Sequence, residues 1–165
     1  MAKIPTPPFD YTGPNPFHHI AWSDEPIDVR LAWAQKAIAA GHDLNRPYAK
    51  EPGIVIDRIS RPLAEMVWWS QNYNAATGHF DDMELVKLYL AHGADPRLRD
   101  RQTGRNCIEE AAGWENCADP GPKENYWKEM YHLMKARAVE LDAQESSKKA
   151  ESPSGAGVSR YCQLM

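Results

Sequence analysis

The segment LVKLYLAHGAD at residues 85–95 repeats, in its ending, the segment WAQKAIAAGHD at residues 33–43. A helix that closes twice on the same Gly-x-Asp pattern predicts a repeat array, in which each unit hides its apolar face only by stacking on the next. Such arrays commonly bind other molecules rather than transform them.

The apolar residues around each echo fall on one side of a helix. Trp33, Ala34, Ala37 and Ile38 share a face of a helix expected at 27–40, and Leu85, Val86, Leu88, Tyr89 and Leu90 do so at 82–92. Gly41 and Gly93 are expected to close these helices in the left-handed conformation that glycine adopts freely. Asp43 and Asp95 are expected to accept backbone N–H groups in the following turn. Asp81 or Asp82 is placed to cap the second of these helices.

A partner helix is expected before each closing helix. Pro16 opens the first in NPFHHIAW and Pro62 the second in RPLAEMVWW, positions where the missing proline N–H costs nothing. A third pair is expected at 106–114 and 125–141, the last helix acting as a terminal cap. The Pro- and Gly-rich residues 1–14 predict an extended lead-in, and from residue 143 the loss of apolar periodicity predicts a flexible tail.

These features resemble ankyrin repeats. The Thr-Pro-Leu-His type opening of that family has counterparts in Asn15-Pro16-Phe17-His18, Arg61-Pro62-Leu63-Ala64 and, more distantly, Asn106-Cys107-Ile108-Glu109. The family's Gly-Ala-Asp-Val-Asn type turn has counterparts in Gly41-His42-Asp43-Leu44-Asn45 and Gly93-Ala94-Asp95-Pro96-Arg97. The resemblance covers residues 15–142 and implies an all-α, ankyrin-like stack of three helix pairs. The distance from Pro16 to Pro62 exceeds the roughly 33 residues of a standard unit, so enlarged loops are expected at 47–59, 70–80 and 115–123.

Trp22, Trp68, Trp69 and Trp114 all fall near the end of a first helix. In an ankyrin-like stack the first helices line the concave side, so these indoles become the candidate partner-binding stripe, Trp being a preferred anchor. The competing role is space-filling between repeats. His18 stands where the resemblance implies a histidine hydrogen-bonded to backbone. Glu109 and Glu110 have no acid or histidine at helical spacing and are expected on a solvated face, and Cys107 is expected to be a buried, unreactive thiol.

Composition excludes several classes. The net charge is -4 with mixed signs along the chain, which gives no basic footprint for nucleic acid. Three widely spaced cysteines, Cys107, Cys117 and Cys162, lack metal-site spacing. No cofactor or metal is expected. The absence of a leader-like segment predicts a cytoplasmic protein.

The final residues, Cys162-Gln163-Leu164-Met165, match the C-a-a-X pattern of prenylation, with a terminal Met of the farnesyl type. Gln163 departs from the aliphatic preference at that position. The expected function is a non-catalytic module binding an unidentified protein partner, with peripheral membrane contact through a prenyl group on Cys162. The alternatives are a small enzyme on the same scaffold, with acid–base work by His18, His19 or His79, and a structural subunit of a larger complex.

Overall fold

The structure, a computed structural model, describes residues 6–7, 16–48, 61–69, 73–74, 79–80, 82–100, 103–115 and 122–151. Six helices carry the described fold: α1 (Pro16–Ala21), α2 (Ile27–Ala39), α3 (Pro62–Trp69), α4 (Asp82–Ala91), α5 (Cys107–Glu115) and α6 (Pro122–Glu151). Among the described residues the strands are limited to β1 (Tyr73–Asn74) and β2 (His79–Phe80), an antiparallel pair within the long connection of the second unit.

The helices pack in a ladder. Within each pair α1 lies on α2, α3 on α4 and α5 on α6, while α1 meets α3 and α3 meets α5 along one layer. The other layer runs α2, α4, α6. The cause is the apolar faces read above. Trp33, Ala34 and Ala37 of α2, Leu85, Val86 and Tyr89 of α4, and Met130 and Met134 of α6 are completely buried in one continuous core. Phe17 and Ile20 of α1 and Leu63, Met66 and Val67 of α3 enter it from the first layer.

Both echo segments end identically. The N–H of His42 donates to the Ala37 carbonyl and that of Gly41 to the Ile38 carbonyl, and the same bonds run from Ala94 to Tyr89 and from Gly93 to Leu90. This double closure satisfies carbonyls that the helix end leaves over, and it requires a left-handed residue at the glycine. Gly41 has φ 84° and Gly93 φ 97°. Two residues further on, Asp43 Oδ1 accepts the Asn45 N–H at 2.8 Å, and Asp95 Oδ1 accepts the Arg97 N–H at 2.9 Å.

The turns then hold one another. The Asn45 side-chain amide donates to the Gly93 carbonyl at 2.9 Å and its oxygen accepts the Asp95 N–H at 2.7 Å. Arg97, the counterpart of Asn45, reaches onward to Asp142 at 2.5 Å and Glu145 at 2.6 Å on α6. One position of the repeat thus serves twice as the bridge to the next unit.

Two expectations change. The last helix does not stop near residue 141 but continues through Glu151. Apolar periodicity ends at the expected place, yet Arg97 pins Asp142 and Glu145, and the Ser146 and Ser147 hydroxyls donate to carbonyls one turn back. Residues 152–165 and most of the expected lead-in lie outside the described residues. Of Asp81 and Asp82, either of which is expected to cap α4, Asp82 is instead its first residue with its carboxylate buried against Arg30, and Asp81 lies outside the described residues.

Candidate functional site

Two aromatic groups gather on the layer of α1, α3 and α5. In the first, Trp22 just beyond α1 donates its indole N–H to Glu65 of α3 at 2.9 Å. Its ring leans on Tyr48, and the buried His18 lies edge-on to Tyr48 with centroids 4.9 Å apart. A buried carboxylate is costly unless it accepts donors, and Trp22 supplies one across the unit boundary. Trp22 therefore serves to tie the first unit to the second.

In the second group, Trp68 at the end of α3 meets Trp114 of α5 edge-to-face, with centroids 5.5 Å apart and planes at 89°. Trp114 stacks in turn on Trp127 of α6 at 6.0 Å and 22°. Trp127 is buried and Trp68 half-buried, whereas Trp114 is 37% exposed. Such offset and edge-on pairs are the arrangements that the ring quadrupole favours. Of the four expected indoles, the structure brings Trp68 and Trp114 together and gives Trp22 other partners. The Trp69 side chain and Cys162 lie outside the described residues.

Beside Trp68 a water-sized hollow opens, lined by Arg61, Ala64, Trp68, Asp100, Arg105 and Glu110 among others. Arg61 crosses the unit boundary, donating to the Asn45 carbonyl at 3.0 Å and the Arg99 carbonyl at 2.6 Å. Asn106 and Glu109 cap α5 reciprocally: Asn106 Oδ1 accepts the Glu109 N–H at 2.9 Å, and Glu109 Oε2 accepts the Asn106 N–H at 3.2 Å. Arg99 grips Glu109 with both terminal nitrogens. The Asn106 N–H and the Arg99 guanidinium together hold the Glu109 carboxyl below its usual range.

Glu110 corrects an expectation. It is buried, not solvated, with Arg105 Nη1 4.0 Å away. One residue apart on α5, Glu109 points out and Glu110 points in, because neighbours on a helix diverge by about 100°. Cys107 is buried in the same wall, and burial pushes its thiol up to about 12, away from the thiolate that reacts.

A second recess, of about 160 Å³, lies over the first echo turn between Phe17, His18, Gly41, His42, Asp43 and Arg46. No group of three or more His, Cys, Asp or Glu side chains among the described residues is arranged to hold a metal ion. No helix there is long and apolar enough to cross a membrane.

Sequence reasoning missed Arg105, Trp127 and Glu65 as members of these groups. Trp127 was legible as an apolar residue of the last helix, but its stacking on Trp114 depends on how α6 folds back on α5. Comparison of the chain with protein-family models, with curated proteins and with solved structures finds no match.

Proposed function

We propose that this chain is a protein-interaction module without catalytic activity, an ankyrin-like stack of three helix pairs that engages a protein partner through the first-helix layer. The observation that carries the reading is the Trp68–Trp114 pair, edge-to-face and reaching solvent at Trp114. Large, pre-ordered aromatic surface is what binding anchors are made of, because little rotamer entropy is lost on contact. The ankyrin-like reading is supported by the pairwise ladder of helices and by the two matching Gly-x-Asp closures.

Farnesylation of Cys162 belongs to the same proposal. A single prenyl chain anchors weakly, so the group would confer reversible contact with the cytosolic face of a membrane. Affinity capture from cells, comparing the native chain with Trp68→Ala and Trp114→Ala variants of unchanged circular dichroism, tests the binding surface. A partner set unaffected by either substitution removes the reading. Intact mass spectrometry of the chain made in a eukaryotic host tests the lipid: an unmodified Cys162 with the last three residues retained removes it.

A further inference from the structure

We propose that the surface made by Trp68, Trp114 and Arg105 docks an extended peptide segment that carries an apolar side chain close to a carboxylate. The inference rests on the interaction-module reading and adds the chemistry of the partner. Three observations place a cation beside the indoles. Arg105 lines the same hollow as Trp68, and its Nη1 lies 4.0 Å from Glu110 and 3.9 Å from where a Cβ would stand on Gly113, so the side chain is laid along α5.

The two members of the Arg105–Glu110 pair differ in exposure. The Arg105 side chain is 61% exposed and that of Glu110 only 7%. The carboxylate is turned into the protein and the guanidinium is presented to solvent. At 4.0 Å the pair is also beyond hydrogen-bond reach, so the Arg105 guanidinium does not spend its donors on Glu110 and can offer them to an incoming oxygen pair. Neighbouring Arg61 donates to two neutral carbonyls and shares the wall of the hollow with the carboxylates of Asp100 and Glu110, so the cation presented to a partner is Arg105. Arg99 and Glu109 pair with each other and add no net sign.

The complementary partner is therefore a segment that sets a Leu, Phe or Trp on the indoles and an Asp or Glu on Arg105. Burying apolar area on Trp114 supplies the non-directional attraction, and a two-pronged guanidinium–carboxylate contact supplies orientation. A basic segment would meet the exposed Arg105 guanidinium with like charge, which is the more discriminating half of the fit.

The test is selection of a phage-displayed random peptide library on the full chain, followed by fluorescence anisotropy with a labelled synthetic copy of the enriched sequence. Enriched peptides are expected to carry Asp or Glu within about three residues of an apolar anchor, the reach of a short extended chain. Arg105→Glu is expected to weaken the synthetic peptide by about 10-fold or more, Arg105→Lys by less, and added salt to weaken it progressively. Circular dichroism of each variant confirms that the fold is kept. Peptides without an acidic residue, or affinity unchanged by Arg105→Glu, overturn the acidic partner while leaving the Trp surface in place if Trp114→Ala still weakens them. Peptides indifferent to both Arg105 and Trp114, or no enriched sequence at all, overturn this inference. The cellular capture with Trp68→Ala and Trp114→Ala decides separately whether the broader reading falls.

Discussion

Arg30 of α2 and Asp82 of α4, 52 residues apart in sequence, form an ion pair of 2.5 Å with each side chain only 1% exposed. The remaining guanidinium donors close the end of α1, Nε to the Ile20 carbonyl at 2.9 Å and Nη2 to the Ala21 carbonyl at 3.2 Å. One side chain thereby joins three helices. Two buried charges are tolerable because each is paired and hydrogen-bonded, and either one alone is not.

Removing one partner should cost far more than removing both. Arg30→Met or Asp82→Leu alone is expected to destabilise the fold by about 3–5 kcal/mol in urea unfolding. The double variant Arg30→Met/Asp82→Leu should recover much of that loss but not all, because the Ile20 and Ala21 carbonyls lose their donors. Strictly additive single-variant losses would show that the pair is not coupled.

Gly41 and Gly93 test the doubled helix closure. Each sits in the left-handed region with open space where a Cβ would stand, so replacement costs backbone strain and not a clash. Gly41→Ala and Gly93→Ala should each lower stability by about 1–2 kcal/mol, and the Asn variants by less. Equal losses for Ala and Asn in chemical denaturation would contradict this origin.

The Arg97 cluster predicts an acid-sensitive end to α6. The hydrogen bond from the Arg97 guanidinium holds the Asp95 carboxyl below its ordinary value of 3.8. A carboxyl whose value is lowered on folding contributes stability that is full above that ordinary value and is lost as pH falls through the lowered one. Below about pH 4, protection against hydrogen exchange over 142–151, taken relative to the intrinsic rate at each pH, should fall before the core opens. In Arg97→Gln the same segment should exchange rapidly at neutral pH, and the Asp95 titration, followed by carboxyl NMR, should return toward the ordinary value. An unchanged exchange rate in that variant would show that α6 holds its own end.

Cys107 should be inert in the folded chain. Buried and pushed up to about 12, its thiol carries almost no thiolate at neutral pH. Mass spectrometry after iodoacetamide is expected to leave Cys107 unlabelled in native protein and fully labelled in denaturant. Native labelling as fast as in a free peptide would place the thiol at the surface.

The sequence by itself determined the local grammar of this protein. The apolar faces of α2 and α4, their glycine closures and the Asp43 and Asp95 turns were all legible, since each depends on contacts within about one helical turn. Cys107 was legible from its apolar surroundings. The end of α6 was not, because a polar helix past residue 141 is held by Arg97, which lies on a distant turn. The offset of the echo did carry one unread signal: Arg30 and Asp82 occupy equivalent places in the two units, separated by the same 52 positions.

Only the tertiary structure decided what these units do to one another. It set Trp22 on Glu65, separated that indole from the Trp68–Trp114 pair, turned Glu110 inward and left Arg105 outside. Such relationships depend on the stagger and rotation of stacked helices, small rigid-body quantities summed over long loops. Hydrophobic periodicity says which face of a helix is buried, but it does not say which residue of the next helix that face will meet.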